Sequence, residues 1–189
     1  MTPRQALVVL GSNIAPERNL PAAVSLLAEL PGLTVIGVSG VYESPPLDRP
    51  GDPWVHNAAL AVVTSVSPET LREEFRRVEA ALGRVRGTDR YAPRTIDIDL
   101  AVYEGFEGEL GGRRVPDPDI PRRAFLALPL AEVAPDLVHS AAGLTLRQIA
   151  ASFDLAREQV RRLPGPGLSV VGPGAADPGT ATGCRSSQG

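Results

Sequence analysis

The stretch RYAPRTIDIDL, residues 90–100, alternates polar and apolar residues after two arginines. Successive side chains of a β-strand point to opposite faces, so Asp97 and Asp99 share one face with Thr95. The isoleucines between them belong to the other face, which can pack into a core. The stretch therefore predicts a strand with one buried face and one acidic face.

The acidic face of this strand is a candidate functional site. Alpha carbons two residues apart in a strand are separated by about 6.5–7 Å, so the two carboxylates can converge on one point. Their repulsion requires a nearby cation, and Mg²⁺ favours carboxylate oxygens while sharing its other positions with water and phosphate. The pattern indicates a magnesium site. The alternative is an amphipathic strand whose aspartates only face water.

A cluster of arginines leads into the strand. Within 11 residues the chain carries Arg84, Arg86, Arg90 and Arg94. Guanidinium groups beside carboxylates and a metal bind polyphosphate oxygens and stabilise charge that develops during transfer, although a solvated basic loop is the alternative. The sequence has no G-x-x-x-x-G-K-[ST] motif, so side chains and metal would have to hold the phosphates. The combination predicts two-metal phosphoryl or nucleotidyl transfer.

Residues 84–94 also have the character of a mobile lid. Long loops that carry arginines often become ordered when substrate binds, and Gly87 is a candidate hinge. We therefore expect this segment to close over the site.

The overall composition narrows the classes of function. With 189 residues, 43% of them hydrophobic and 22% charged, the chain is predicted to form one globular domain. Its net charge of -3 and its aromatic content of 4% argue against a nucleic-acid partner. The one cysteine, Cys184, excludes an internal disulfide and fits a cytoplasmic location. The apolar run at residues 6–10 is too short for a signal peptide or a membrane span.

The element order predicts the fold class. Strand, helix, strand, strand, helix and strand are expected in turn, at residues 6–10, 16–30, 33–44, 56–64, 68–82 and 95–100. This is the order of an α+β ferredoxin-like sandwich, with an antiparallel sheet, helices on one face, and further short helices in the C-terminal region. The open face is expected to bind ligand. The domain spans residues 1–163, and residues 164–189, with 11 Pro or Gly in 26 residues, are predicted to be a disordered tail.

Six motifs occur in a fixed order over residues 5–155. They are LGSN at 10–13, YESPPL at 42–47, HNAAL at 56–60, RVEAALGRVR at 77–86, APRTIDIDL at 92–100 and VPDPDIPRRAFLALPLAEVAPDL at 115–137. In order and separation this set resembles the 6-hydroxymethyl-7,8-dihydropterin pyrophosphokinases of folate biosynthesis. The most specific part is G-R-x-R followed by P-R-T-x-D-x-D-L.

The resemblance implies transfer of pyrophosphate from ATP to the hydroxymethyl group of the pterin, with release of AMP, on a ferredoxin-like fold. It implies that Asp97 and Asp99 bind two magnesium ions that bridge the ATP phosphates and orient the pterin hydroxyl. The arginines that it assigns to the triphosphate are Arg84, Arg86, Arg94 and Arg123. Tyr91 would be the aromatic residue of the catalytic loop that closes over ATP.

The resemblance also implies a pterin site. Residues Ser44, Pro45, Pro46 and Leu47 would form a wall that offers backbone hydrogen bonds. Asn57 would pair with the heterocycle edge through its amide, and Phe125 would stack on the ring. Without the resemblance, Phe125 would be assigned to the core and Asn57 to a turn or a strand edge.

The sequence departs from the family pattern at two positions. Val55 stands where the family usually has an aromatic residue that completes a pterin sandwich, so stacking is one-sided or Trp54 takes that role. Asp117 stands where the family usually has a histidine near the ATP phosphates. Glu79 is expected either to contact nucleotide or to be a solvated carboxylate, and His56 is expected to be structural.

Two rival readings remain open. One is a ferredoxin-like module that senses a nucleotide without turnover, although sensing needs no pair of metal-binding carboxylates. The other is a two-metal nucleotidyltransferase, which would release pyrophosphate instead of AMP. We expect a monomeric enzyme that uses ATP and the pterin, with no nucleic-acid or membrane partner.

Overall fold

The computed structural model describes residues 2–47, 51–85, 92–165 and 167–169. The elements to residue 103 are β1 (Arg4–Ser12), α1 (Pro16–Ala28), β2 (Leu33–Val38), β3 (Tyr42–Ser44), β4 (Val55–Thr64), α2 (Pro68–Ala81) and β5 (Asp97–Tyr103). Those that follow are β6 (Gly108–Leu110), β7 (Arg113–Val115), a 3-10 turn (Ile120–Arg122), α3 (Ala124–Val133), β8 (Val138–His139), β9 (Leu144–Thr145), α4 (Leu146–Ala151), α5 (Leu155–Glu158) and β10 (Arg161–Arg162). The predicted order of the first elements is confirmed.

The main sheet is antiparallel, with the strand order β10-β3-β4-β1-β5. β2 also pairs with β4, further along the strand than β3 does. The register aligns Gly11 of β1 with Asn57 on one side and with Asp97 on the other. Directly opposed residues of neighbouring strands point to the same face, so these two polar side chains flank a position that has no side chain.

One face of the sheet is covered by α1 and α2. Their buried residues pack on alternate residues of β1 and on the apolar side of the predicted acidic strand, which includes Ile96, Ile98 and Leu100. The Ser67 hydroxyl caps α2 by accepting a hydrogen bond from the Thr70 N–H at 3.3 Å. The predicted alternation of residues 95–100 and the predicted start of α2 are both confirmed.

The second face is only partly open, which corrects the expectation of a face left free for ligand. Helices α3 and α4 cover its apolar end, where they pack on Leu7, Val9, Ala59 and Ala61 among others. Small alanines in the sheet leave room for a closely packed helix. The uncovered end of the same face carries the polar residues of β4 and β5, so the site is confined to that end.

The predicted single strand over residues 33–44 is divided into β2 and β3. Between them, the Ser39 N–H donates to the Ala59 carbonyl at 2.9 Å, and the Ser39 hydroxyl accepts from the Ala59 N–H at 2.8 Å. The hydroxyl takes the place of a backbone carbonyl, which satisfies the ladder while the chain bends. This break gives β3 its own position beside the start of β4.

The C-terminal part of the chain adds an edge strand to the main sheet. β10 pairs with β3, and Leu168 packs against the core beneath α1 and α2. Of the predicted tail, residues 164–189, the structure describes 164, 165 and 167–169. Residue 166 and residues 170–189 lie outside the described residues, so disorder there stays a prediction. In the ranges that the structure describes, none of the helices has the length and apolar character needed to span a membrane.

Candidate active site

A cavity of about 700 Å³ opens at the uncovered end of the second face. It lies over the ends of β1, β3, β4 and β5, between β7 and the start of α3. The residues that line it include Gly11, Asn13, Ser44, Pro45, Pro46, Leu47, Val55, Asn57, Arg94, Asp97, Asp99, Arg113, Arg114, Asp117 and Phe125. The cavity thus combines the predicted metal-binding carboxylates with the predicted pterin-binding residues.

Gly11 keeps the floor of the cavity open. A Cβ at this position would lie 3.7 Å from the Asn57 amide oxygen and 3.9 Å from the Asp97 Cβ. Such a methyl group would fit without a clash but would occupy the space between the two polar side chains. The glycine therefore connects the Asn57 side of the cavity with the Asp97 side.

The entrance to β5 is tied to the end of β1. The Arg94 N–H donates to the Asn13 side-chain oxygen at 2.7 Å, and the Asn13 N–H donates to the Arg94 carbonyl at 3.2 Å. The Ser12 hydroxyl donates to the Thr95 carbonyl at 2.5 Å. The LGSN motif at residues 10–13 therefore fixes the backbone from which Arg94 and Asp97 project.

Three arginines surround the two aspartates. Arg94 donates from Nη1 to Asp97 Oδ2 at 2.5 Å, and Arg84 contacts the other oxygen of the same carboxylate. Arg113 lies with its Nη1 at 2.6 Å from Asp99 Oδ2. The arginines therefore set positive charge against both carboxylates.

Glu79 supports this arrangement from inside the protein. Its side chain is 2% exposed, contacts Arg84, and accepts the Ile98 N–H at 2.9 Å. The reading of Glu79 as a solvated carboxylate is therefore wrong. The residue joins α2 to β5 and holds Arg84 in place beside Asp97.

The two aspartates differ in acidity. Burial would raise the pKa of Asp97, but the charges of Arg84, Arg94 and Arg113 outweigh burial and hold that pKa below its usual range. Burial and the neighbouring Asp97 carboxylate raise the pKa of Asp99 to about 7. The environment thus favours one full negative charge at Asp97 over two equal charges.

The predicted pterin residues meet on the other side of Gly11. Asn57 is buried, and its side-chain nitrogen donates to the Ser44 hydroxyl at 3.0 Å and to the Val55 carbonyl at 3.2 Å. Phe125, at the start of α3, presents a partly buried ring to the cavity. These residues supply an amide, a hydroxyl and an aromatic face within one concave site.

The two residues that depart from the family pattern, Val55 and Asp117, both lie in the cavity wall. Val55 lines the cavity, whereas the 40% exposed Trp54 lies with its ring centroid 5.9 Å from the Arg161 guanidinium carbon. In the described part of the chain, Trp54 is not among the residues that line the cavity. Asp117 does line the cavity, and burial raises the pKa of its carboxyl.

The arginines predicted to bind ATP fall into three groups. Arg84 and Arg94 contact Asp97, as described above. Arg123 precedes α3 as an exposed residue and is not in the described cavity lining. Arg86 and Tyr91 lie outside the described residues, as does the hinge glycine of the predicted lid, so these expectations stay predictions.

Arg113 and Arg114 follow the glycine turn between β6 and β7 and were not predicted as site residues from the sequence. β7 packs beside β5, and this tertiary contact brings Arg113 to Asp99. The signal in the sequence is the pair of cations that directly follows GG at residues 111–112. The packing of that hairpin beside β5 is not visible in the local pattern.

Comparison with known proteins agrees with these features. Residues 7–135 match the family model of 7,8-dihydro-6-hydroxymethylpterin-pyrophosphokinase (HPPK). A 2-amino-4-hydroxy-6-hydroxymethyldihydropteridine pyrophosphokinase of Methylorubrum extorquens is 42% identical over 151 residues, 79% of this chain and 94% of that protein. An enzyme of the same name from Pseudomonas aeruginosa is 34% identical over 163 residues, 86% of this chain and 98% of that protein.

A solved structure is similar in fold. The wild-type HPPK-DHPS of Plasmodium falciparum with pteroate has a TM-score of 0.65 at 13% identity over 85% of this chain. The present chain covers 46% of that longer chain, so the likeness concerns about half of it. Such low identity supports the fold and not the residue roles.

The matched residues and the relatives define an ATP-dependent diphosphotransferase. The chain belongs to the 7,8-dihydro-6-hydroxymethylpterin-pyrophosphokinase family. Its activity is that of a pyrophosphokinase in folate biosynthesis, with ATP as co-substrate.

Proposed function

We propose that the chain transfers the pyrophosphate group of ATP to 6-hydroxymethyl-7,8-dihydropterin in the cavity between Asn57 and the Asp97–Asp99 pair. The observation that carries this proposal is the row of Asn57, Gly11 and Asp97 across three neighbouring strands. The row places a group suited to a heterocycle edge beside a group suited to a metal and phosphate. The proposal assigns the pterin to the Asn57 side and ATP to the side of the aspartates.

Asp97 and Asp99 are the residues that we propose to hold two magnesium ions. The described residues contain no cluster of three or more His, Cys, Asp or Glu side chains suited to a metal. A pair of carboxylates fits Mg²⁺, which keeps several waters and takes phosphate oxygens as further ligands. The bound ions would neutralise charge on the phosphates and lower the pKa of the attacking hydroxyl.

The arginines of this chain bind and orient the triphosphate in this mechanism. Arg84 and Arg94 already face the carboxylates, and a phosphate group offers the same bidentate geometry to a guanidinium. Arg113 and Arg114 line the cavity beside Asp99 and Asp117 and extend the basic surface. Arg86, Tyr91 and Arg123 are proposed ATP-binding residues on the basis of the family resemblance.

On the pterin side, Ser44, Pro45, Pro46 and Leu47 form the proposed wall. Asn57 reads the heterocycle edge and Phe125 stacks on the ring. Because Val55 is aliphatic, the stacking is one-sided. The pterin hydroxyl attacks the β-phosphorus of ATP in line, a bond from that phosphorus to the bridging oxygen of AMP breaks, and the hydroxyl proton passes to solvent.

We also infer the finer topology and the cellular setting. The order β2-β4-β1-β5, with α1 and α2 on one face, supports a ferredoxin-like arrangement of the first six principal elements. β3 would then be an addition beside β2 on the edge of β4. A monomer is proposed because residues of one chain provide both sides of the cavity, and a cytoplasmic location fits the single cysteine.

The test is incubation with ATP, Mg²⁺ and 6-hydroxymethyl-7,8-dihydropterin, followed by mass analysis, with ATP labelled at the γ-phosphate in a parallel assay. We expect AMP and a pterin diphosphate that carries the label. Label recovered in free pyrophosphate, together with a nucleotidyl pterin, would establish the rival nucleotidyltransferase. ATP binding without either product would support the sensing module.

A further inference from the structure

β3 is a strand of three residues whose two edges are paired by different parts of the chain. β4 pairs with one edge, and β10 pairs with the other, with Arg161 opposite Glu43 and Arg162 opposite Tyr42. The Leu163 N–H extends this contact by donating to the Val41 carbonyl at 2.8 Å. Because so short a strand forms few ladder hydrogen bonds of its own, β10 supplies much of its support.

The residues held by β3 belong to the proposed pterin side of the cavity. Ser44 is its last residue and accepts the Asn57 side-chain hydrogen bond. The proline wall follows directly after Ser44. A shift of β3 would therefore displace the wall and the hydrogen bond that orients Asn57.

Arg161 connects both ends of the segment between β3 and β4. It donates from Nε to Glu43 Oε2 at 2.6 Å, and its Nη2 lies 2.5 Å from the same oxygen. Its guanidinium also lies over the Trp54 ring, which directly precedes β4. One side chain thus holds a residue before the wall and a residue after it.

Hydrophobic packing extends the same support to the aromatic ring. Val160 is 5% exposed and packs with Tyr42 and Ala124 in a small core. Phe125 packs against this core from its partly buried position. The residue that precedes β10 therefore belongs to the small core against which the ring proposed to stack on the pterin packs.

Arg162 fixes β10 to α3. Its Nε donates to Glu132 Oε1 at 2.8 Å, and the same oxygen accepts the Tyr42 hydroxyl at 2.6 Å. The other carboxylate oxygen accepts the Gly40 N–H at 2.6 Å. A Cβ at Gly40 would lie 2.6 Å from the Arg162 guanidinium, so a larger residue there would displace this guanidinium.

We propose that the segment Val160–Arg162 is a positioning element for the pterin side of the active site, and that Arg161 is its principal positioning residue. This inference rests on the proposed function of the wall. Asp97 and Asp99 are held by a different set of arginines, from the turn after α2, from β7 and from the entrance to β5. Loss of Arg161 should therefore weaken the binding of the pterin more than the binding of ATP.

The test variant is Arg161→Gln, assayed for the KM of each substrate and for kcat. We expect the KM for pterin to rise about three- to tenfold, since an exposed ion pair and a cation–π contact each contribute a small factor. The KM for ATP and the melting temperature should change little. Arg161→Lys should recover part of the loss, because it retains the charge and the contact with the ring.

The matched control is Arg147→Gln, which removes an exposed arginine that pairs with Asp136 at 3.0 Å. It should leave both KM values unchanged. Equal rises in the two KM values of the Arg161→Gln variant, or no rise in either, would contradict the positioning role. An active wild type with unchanged variants refutes this inference alone, whereas a wild type that forms no pterin diphosphate refutes the proposed function as well.

Discussion

Asp97 and Asp99 are two residues apart on one strand, but their electrostatic surroundings differ. Asp97 contacts Arg84 and Arg94, whereas Asp99 contacts Arg113 and lies beside the Asp97 charge. The arginines form ion pairs with both carboxylates. Binding of a polyphosphate would give the same guanidinium groups a second acceptor and release carboxylate oxygens for a cation.

Asp97→Asn tests the metal assignment at the level of one residue. We expect turnover to fall at least about a hundredfold, because the neutral amide is a poor magnesium ligand and a preorganised charge is lost. AMP formation measures the effect, and circular dichroism checks that the protein is folded. The control is Asp136→Asn, an exposed carboxylate away from the cavity. A folded Asp97→Asn variant with near-normal turnover would exclude Asp97 as a metal ligand.

Arg84→Met tests the buried ion pairs behind the site. The substitution removes a cation from Glu79, which is 2% exposed, and from Asp97. Loss of one partner of a buried pair is expected to lower the free energy of unfolding by roughly 3 kcal/mol. Urea denaturation measures this change, with the exposed Arg77→Met as control. A loss no larger than in the control would show that Arg84 has no structural role.

Thr95→Val tests a hydroxyl group at the entrance to β5. Thr95 Oγ1 is buried and has no hydrogen-bond partner in the described part of the chain. Replacement by a methyl group of similar size should raise the free energy of unfolding by about 1 kcal/mol, since no hydrogen bond is lost. Chemical denaturation will show the gain, and a clear destabilisation would reveal a partner of this hydroxyl in the folded protein.

At the level of elements, local signals predicted most helices and strands. The Ser67 cap, Pro68 in the first turn and the apolar stripe after them were sufficient to predict α2. The division of residues 33–44 into β2 and β3 was missed because two hydrogen bonds of Ser39 join it to β4, far away in sequence. One local feature of the sequence indicates that the second face of the sheet is partly covered. It is the continuous apolar run of β1, which is typical of a strand buried on both sides.

The contact between β3, α3 and β10 should make stability depend on pH. Burial would raise the pKa of Glu132, but hydrogen bonds from Tyr42, Gly40 and Arg162 outweigh burial and lower it. A carboxyl with a lowered pKa stabilises the folded state above its unfolded pKa, and that contribution is lost as the pH falls through the lowered value. Wild type should therefore lose more stability on acidification than Glu132→Gln does.

The measurement is urea unfolding at pH values above and below the usual carboxyl pKa of about 4.3. The stability difference between wild type and Glu132→Gln should shrink at the lower pH. Glu107→Gln, a change at an exposed position of the turn after β5, is the control. A difference that stays constant across this range would show that Glu132 does not couple protonation to folding.

At the scale of the whole molecule, the sequence predicted the members of the site better than their contacts. The alternation of residues 95–100 and the family motifs identified the aspartates, Asn57, Ser44 and Phe125, all of which line one cavity. The contact of Arg113 with Asp99 and the support from β10 were not predicted. Both depend on contacts between elements that meet only after the chain has folded, which leaves no periodic pattern in the sequence.

Ligand binding should stabilise the entire domain in a magnesium-dependent way. A ligand that binds only the folded state, at about 100 times its Kd, adds about 2.7 kcal/mol, or roughly 5–10 °C in melting temperature. We expect this shift for a non-hydrolysable ATP analogue with Mg²⁺ and a much smaller one with chelator, because the triphosphate then faces unshielded aspartates. AMP is the control. Equal shifts with and without Mg²⁺ would contradict a metal-bridged triphosphate.

The position of β1 between β4 and β5 also affects how the protein forms during synthesis. β1 leaves the ribosome before either neighbour, so its apolar residues remain without sheet partners until residues 55–64 and then 97–103 have been made. The supporting strand β10 emerges later still. Nascent chains shorter than about residue 103 would therefore expose a hydrophobic strand and depend on chaperone binding for protection against aggregation.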